Sequence, residues 1–275
     1  MNYQRFKELL NTNISIGAPF YEKLLTNIVK NPQRYSGLFR NSNFKTKLLQ
    51  NVTQSQEIKF GDFFEALVTE YLGELGYFNQ QKNLGRDQNG DSLNADQLFK
   101  NQSTLNFVEQ KIRDDHDSTK KRGQFSNFIK KVDLLTSQNP TMLIKASMWF
   151  VDDSLQKNKN YYFEEMAKIS YKNVQTNLYY GKDFFESLIN GQSAWKEITA
   201  HLTRMRVEAS SETLFIPDFD TSDEGYDALK KLSQTYINKL LSNDDKYSLL
   251  RSEMFPTGKN LNRYHEEVLK KVKYK

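Results

Sequence analysis

The sequence predicts an α/β fold: a central mixed β-sheet flanked by helices, with helical additions at the N- and C-terminal ends. Three observations predict it. Apolar residues recur at helical spacing in two interior segments, Phe60 to Leu75 and Gly123 to Leu135. Short runs of strand-forming residues lie between and after them, at Asn94–Lys100, Thr104–Ile112, Met142–Val151 and Asn177–Tyr180. A mixed sheet covered by helices on both faces is the simplest architecture that buries all of these apolar faces at once.

From Phe6 to Gln54 the pattern is one of short helices, with Phe6, Leu9 and Leu10 opening one, Tyr21, Leu24, Leu25 and Ile28 continuing, and Pro19 and Pro32 as punctuation. A stronger helix bears Phe60, Phe63, Phe64, Leu67, Val68, Tyr71, Leu72 and Leu75 as one stripe, and Gly76 ends it. The Asn89-Gly90 pair predicts a tight turn between two strands, because both residues tolerate positive φ.

Beyond the strands at Asn94–Lys100 and Thr104–Ile112, the next helix carries Phe125, Phe128, Ile129, Val132 and Leu135 on one face, and Pro140 marks its exit into the strand at Met142–Val151. Gly181 feeds a helix whose Phe184, Phe185 and Leu188 face the core. The expected order is therefore helix, strands, helix, strand, strand, helix. Glu208 to Glu224, acidic and Ser-rich around Pro217, reads as a linker or long loop. After it Leu229, Leu232, Tyr236, Ile237 and Leu240 keep helical register. The divisions expected are an N-terminal helical segment, residues 1–55, a catalytic core, 56–205, and an acidic loop with a C-terminal helical segment, 206–275.

Composition narrows the chemistry. With 37% hydrophobic residues among 275, the chain can bury a real core. No apolar run approaches the ~20 residues of a membrane span, and the start, MNYQRFKELL, lacks a signal-peptide pattern, so a cytoplasmic protein is expected. The absence of cysteine excludes disulfides, thiolate zinc sites and thiol nucleophiles, and His116, His201 and His265 share no ligand-like spacing. Carboxylates remain, and they suit hard cations such as Mg²⁺. The net charge of +5 is compatible with a polyanionic partner without demanding one. The basic tail, Lys259 to Lys275, would lie along phosphate.

The candidate site lies on two of the strands. Asp96 falls within the first, and Glu109-Gln110-Lys111 within the second. Side chains two apart on a strand share a face, so Phe107, Glu109 and Lys111 point one way, and Val108, Gln110 and Ile112 the other. If the strands pair through a turn near Asn101, Asp96 comes alongside Glu109. Two carboxylates can then clamp Mg²⁺, with a substrate phosphate completing its shell. Lys111 would orient or help deprotonate the attacking water and offset developing charge, and its two acidic neighbours favour its protonated form.

An Asp on one strand and Glu-x-Lys on the next, after a helix bearing acids, resembles the PD-(D/E)XK nuclease superfamily, and within it the type II restriction endonucleases. The resemblance covers about Phe60 to Leu188. It includes the string Glu109-Gln110-Lys111-Ile112-Arg113-Asp114-Asp115-His116-Asp117 and the strand-Gly-helix unit Leu178-Tyr179-Tyr180-Gly181-Lys182-Asp183-Phe184-Phe185. Ala95 stands where the motif name has Pro, a position that varies in the superfamily.

The resemblance implies a restriction-endonuclease-like core and sequence-specific, Mg²⁺-dependent hydrolysis of phosphodiester bonds in double-stranded DNA. It implies catalytic parts for Asp96, Glu109 and Lys111 and metal binding for Asp96 and Glu109. Glu65, at the edge of its helix's apolar stripe, is a further candidate ligand. Contact with DNA is implied for Arg113, His116, Ser118, Thr119, Lys120, Lys121, Arg122 and Gln124, although a charge run of this kind is ordinarily a solvated face. A homodimer would suit a palindromic site, and a cognate DNA methyltransferase would be encoded nearby. Two alternatives stay open: a structure-specific or repair nuclease on the same fold, and a non-catalytic DNA-binding protein. Cleavage with Mg²⁺ but not with EDTA separates the last from the others.

Overall fold

Apolar residues sort the chain into two compact units in the computed structural model, which describes residues 1–14, 18–87, 89–112, 118–209 and 216–273. One unit comprises Met1–Leu9 and Gly61–Ser211, the other Leu10–Phe60 and Glu212–Lys275.

The first unit is built on five strands: β1 (Phe78–Asn79), β4 (Gln97–Lys100), β5 (Thr104–Lys111), β6 (Leu143–Phe150) and β7 (Val174–Tyr180), side by side in that order. Between β1 and β4 in sequence, β2 (Asn83–Arg86) and β3 (Ser92–Asn94) form a separate antiparallel hairpin. β4 is antiparallel to both β1 and β5, whereas β5, β6 and β7 run parallel, so the sheet is mixed, as expected. Parallel neighbours need a crossover. The helix α5 (Ser118–Gln138) supplies the first, and α6 (Lys159–Ala167) the second. The expected order of elements lacks α6, because this short helix buries only Tyr162 and Met166 and so carries no readable stripe.

On one face of the sheet, Phe125, Phe128, Val132 and Leu135 of α5 pack with Leu105, Phe107, Ile144, Ala146, Met148 and Phe150. On the other, Trp149 meets Phe64 of α4 (Phe44–Glu74), with ring centroids 6.0 Å apart. It also meets Phe184 of α7 (Asp183–Glu186), at 4.5 Å. The helix expected after Gly181 is thus a single turn, followed by the separate helix α8 (Gly191–Ala209).

The strong helix expected from Phe60 begins at Phe44, since neither proline nor glycine interrupts residues 44–60. Its end is where the glycine predicts. Gly76 has φ +84°, and the N–H groups of Gly76 and Tyr77 donate to the carbonyls of Gly73 and Leu72, both at 3.0 Å. These are the paired bonds of a Schellman cap. At the hairpin, Gly90 takes the left-handed conformation, while the Asp87 carboxylate accepts from the N–H of Asn89 (2.9 Å) and of Asp91 (3.0 Å). The turn expected at Asn89-Gly90 thus lies between two strands, β2 and β3, and the Asp87 carboxylate caps it.

The second unit is helical. Tyr21, Leu24, Leu25, Ile28 and Val29 of α2 (Ala18–Lys30) share a core with Phe44, Leu48 and Val52 and with Leu229, Ile237, Leu240 and Leu250. The latter belong to α9 (Asp223–Lys231), α10 (Gln234–Leu240) and α11 (Asp245–Met254). The single register read through Leu229–Leu240 is broken between α9 and α10, where Leu232 is extended at ψ 135°. Part of the expected acidic linker is packed structure: Asp220 is buried, and its carboxylate accepts from the N–H of Thr257 (2.7 Å) and Lys259 (3.1 Å), at the start of α12 (Lys259–Lys273). Among the described residues no helix is long and apolar enough to cross a membrane.

Candidate active site

The pairing of β4 with β5 positions the first two residues of the site. Gln97 opposes Val108 and Leu98 opposes Phe107, so one further step of the register sets Asp96 opposite Glu109. Asp96 itself lies just outside β4, where the chain passes from the β2–β3 hairpin to the sheet and Ala95 N–H donates to the Lys82 carbonyl (2.8 Å). Its carboxylate takes the place of a ladder carbonyl: Gln110 N–H donates to Asp96 Oδ2 at 2.7 Å. The acid is thereby fixed by the backbone of the strand that carries its partners.

Glu109 is buried, with an ammonium on each oxygen. Lys111 Nζ donates to Oε1 at 2.7 Å and Lys131 Nζ to Oε2 at 2.6 Å. Lys111 also stands 3.6 Å from Asp96 Oδ2. Two acids and two lysines therefore meet on the face of β5 that packs against α5.

The electrostatics separate the two acids. Burial, reinforced by the charge of Glu109, pushes the Asp96 carboxyl up to about 6, against the opposing pull of Lys111 and Lys131. Burial acts on Glu109 in the same sense, but Lys111 and Lys131 outweigh it and hold this carboxyl below its ordinary range. For Lys111, burial favours the neutral amine, and Glu109 and Asp96 together reverse that, so its pKa is raised. Neighbouring acids with opposite shifts are a signature of sites that handle ions or protons.

Lys131 was not among the residues singled out from sequence, though a signal existed. On a wheel of ~100° per residue it falls within about 40° of Leu135, at the edge of the buried stripe of α5. Lys130, turned away from that stripe, reaches Asp87 at 2.7 Å instead. A lysine on an apolar stripe implies a buried acid to receive it.

The remaining candidates are placed as follows. Glu65 pairs through Oε1 with Lys82 Nζ (2.6 Å), and its carbonyl accepts from Gln97 Nε2 (2.8 Å). Gln97 belongs to the opposite face of the sheet from Glu109. Among the described residues no three acidic or histidine side chains gather as a metal-binding group, so two carboxylates are brought together and not three. Arg113 and His116 lie outside the described residues, as do Asp114, Asp115 and Asp117. Ser118 is the first residue of α5; Thr119, Lys120 and Arg122 are exposed on its opening turns. Lys121 stands 4.6 Å over the Tyr161 ring, and Gln124 accepts from the Tyr162 hydroxyl at 3.2 Å, which ties α5 to α6. His201 contacts the Met1 carbonyl at 3.1 Å.

An acid beside a Glu-x-Lys strand, on a mixed sheet with helices against both faces, is the arrangement of the PD-(D/E)XK class of nucleases. A family model described as Type II restriction endonuclease, HinfI, matches residues 2–86 and 73–205, and the chain belongs to that family. It is similar to the type II restriction enzyme HinfI of Haemophilus influenzae, with 29% identity over 198 residues, covering 64% of this chain and 74% of that enzyme. The family makes DNA the substrate, and restriction endonucleases are typically metal-dependent.

Proposed function

We propose that Asp96, Glu109 and Lys111 form the catalytic centre of this restriction endonuclease and that Mg²⁺ is its metal. The observation that carries this reading is the convergence of two carboxylates and an ammonium across the β4–β5 pairing, with Lys111 Nζ 2.7 Å from Glu109 and 3.6 Å from Asp96. The donor set fits the ion: two carboxylates offer hard oxygens, and Mg²⁺ commonly takes one or two of them together with water and a phosphate oxygen. Glu65, carried by α4 and paired with Lys82, is the further proposed ligand.

Bound there, Mg²⁺ would polarise a phosphoryl oxygen and acidify a water. Lys111, kept protonated by its acidic neighbours, donates to the scissile phosphate and offsets the negative charge that develops on it; this is an electrostatic role and not that of a base. Lys131 holds Glu109 from the helix side, so that this carboxylate stays ionised although buried. Lys120, Lys121 and Arg122, at the start of α5, are the proposed nearby DNA contacts, together with Arg113, His116, Ser118, Thr119 and Gln124.

The reading extends to a homodimer, because a two-fold arrangement presents one centre to each strand of a palindromic site. It also extends to a cognate methyltransferase, encoded nearby, that protects host DNA. Plasmid DNA incubated with the protein and Mg²⁺ is expected to give discrete fragments, and none with EDTA. Lys111→Ala is expected to lower the cleavage rate by about 10²–10³-fold with the circular dichroism spectrum retained. Fragments of undiminished yield from this variant, or from the EDTA sample, would overturn the assignment.

A further inference from the structure

The helical unit exposes apolar residues that its core does not use. Gly37 to Arg40 forms a turn closed by Arg40 N–H donating to the Gly37 carbonyl at 3.1 Å, and Leu38 and Phe39 occupy its tip. They are 87% and 98% exposed. A single exposed apolar side chain is ordinary, but an adjacent pair at nearly full exposure needs a reason.

The base of the turn is held firmly. Pro32, Tyr35 and Ser36 of α3 (Pro32–Ser36) are buried before it, and Phe44 is buried after it. A Cβ on Gly37 would collide with the Gln33 carbonyl oxygen, so a glycine is required for the chain to leave α3 along this path. The tip is thus presented on a rigid support.

Around it runs an open cleft of about 1260 Å³, lined by Leu38 and Phe39 together with Lys30, Arg34, Arg40, Lys47 and Lys246, and by no acidic side chain. Lys246 is paired with Asp244 at 2.9 Å. Among the described residues, no carboxylate lies within ion-pair reach of Lys30, Arg34 or Arg40. With Lys246 set aside, Lys30, Arg34, Arg40 and Lys47 put four positive charges on one cleft whose lining holds no acid, and such a surface complements a polyanion.

We propose that this surface is a DNA-binding site, with the cations on backbone phosphates and Phe39, supported by Leu38, inserted against sugar and base faces in a groove. The proposal rests on the reading of the chain as a DNA-cleaving enzyme. Phosphate contacts release counterions and supply affinity. Apolar side chains on a rigid tip are suited to wedge against base steps. The two kinds of residue therefore make separate contributions, and separate substitutions test them.

The test uses the full chain and a fluorescein-labelled duplex of random sequence, with binding followed by anisotropy in EDTA over a range of salt concentrations. Arg34→Gln with Arg40→Gln is expected to weaken binding and to flatten the salt dependence, by roughly 0.9 in log–log slope for each phosphate that is no longer neutralised. Phe39→Ala is expected to weaken binding on the order of tenfold, the effect of removing one aromatic ring from a base. All three side chains are exposed, so melting temperatures are expected to be unchanged.

Variants that bind duplex with the parent's affinity and salt slope overturn the proposal, and Mg²⁺-dependent cleavage by the parent would then leave the enzyme reading standing. A parent protein that neither binds nor cuts duplex DNA overturns both. Loss of binding to phosphatidylserine vesicles, with duplex affinity intact, would assign the surface to lipid and overturn the proposal as well.

Discussion

The two faces of β5 bury polar groups of opposite character. Toward α4, Gln97 and Gln110 are neutral amides: Thr69 Oγ1 donates to Gln97 Oε1 at 2.8 Å, and Gln97 Nε2 donates to the Glu65 carbonyl at 2.8 Å. Toward α5, Asp96, Glu109, Lys111 and Lys131 are all ionisable. Neutral amides are tolerated in a core once their hydrogen bonds are made, and here they fasten helix to sheet. Buried ions carry a desolvation penalty of several kcal/mol each that pairing offsets only in part, so a cluster of four is weak as a stabilising device. Burial alone therefore does not mark a site. Charge retained in spite of burial does.

Substitutions on the two faces sharpen this contrast. The largest effect is expected from Glu109→Gln, which leaves the buried Lys131 without its counter-ion; stability should fall by about 3–5 kcal/mol in urea unfolding, and DNA cleavage should vanish. A variant as stable as the parent would mean that Lys131 finds water or another acceptor, and that the cluster is not closed.

The Asp96 carboxyl sits above its unfolded value, at about 6, so the stability linked to its proton is present at low pH and is lost as pH rises through about 6. Asp96→Asn should therefore melt at a higher temperature than the parent above pH 6, with the difference fading toward pH 4. Glu109 has the opposite sign: its contribution is present above the ordinary carboxylate range and is lost on acidification through its depressed pKa. If Asp96 binds Mg²⁺, cleavage by the parent should rise with pH through about 6, since proton and metal compete for it. A flat cleavage profile from pH 5 to 7 would argue that Asp96 does not meet the ion.

A smaller change is expected from Lys131→Met, which fills the space without the charge. Glu109 would then be held by Lys111 alone, and the Mg²⁺ concentration giving half-maximal cleavage should shift, with Lys131→Arg restoring it. Smallest for catalysis is Gln97→Leu on the opposite face. It should cost about 1–3 kcal/mol of stability, because the buried Gln110 amide oxygen loses its donor while Thr69 keeps its bond to the Glu65 carbonyl, and leave the cleavage rate of the folded enzyme unchanged. A cleavage defect there equal to that of Lys111→Ala would erase the distinction between the faces.

Some of the site was legible because strand geometry is a strict two-residue repeat. Glu109 and Lys111 share a face in any strand, and a short turn after Lys100 leaves one pairing that sets Asp96 against Glu109. Less legible was Asp96's position outside β4, since the hydrogen bond to Gln110 N–H replaces a backbone bond that no local pattern announces. Glu65 shows a limit of the wheel: an angle fixes which side of a helix a residue occupies, not which partner waits there, and Lys82 is that partner. The tip at Leu38 and Phe39 left no signal, because exposed apolar residues look like core residues in a sequence.

By itself the sequence determined the mixed sheet, the α4 and α5 stripes and the Asp96–Glu109–Lys111 set, all of which rest on short-range periodicity and steric alternation. Only the tertiary structure decided that Lys131 closes the cluster from a helix 22 residues further along the chain. It alone decided, too, that segments near both chain ends share one helical core. The physical reason is common to both: a buried charge or an apolar face must find a partner, but which distant residue satisfies it depends on packing, and packing has no period along the chain.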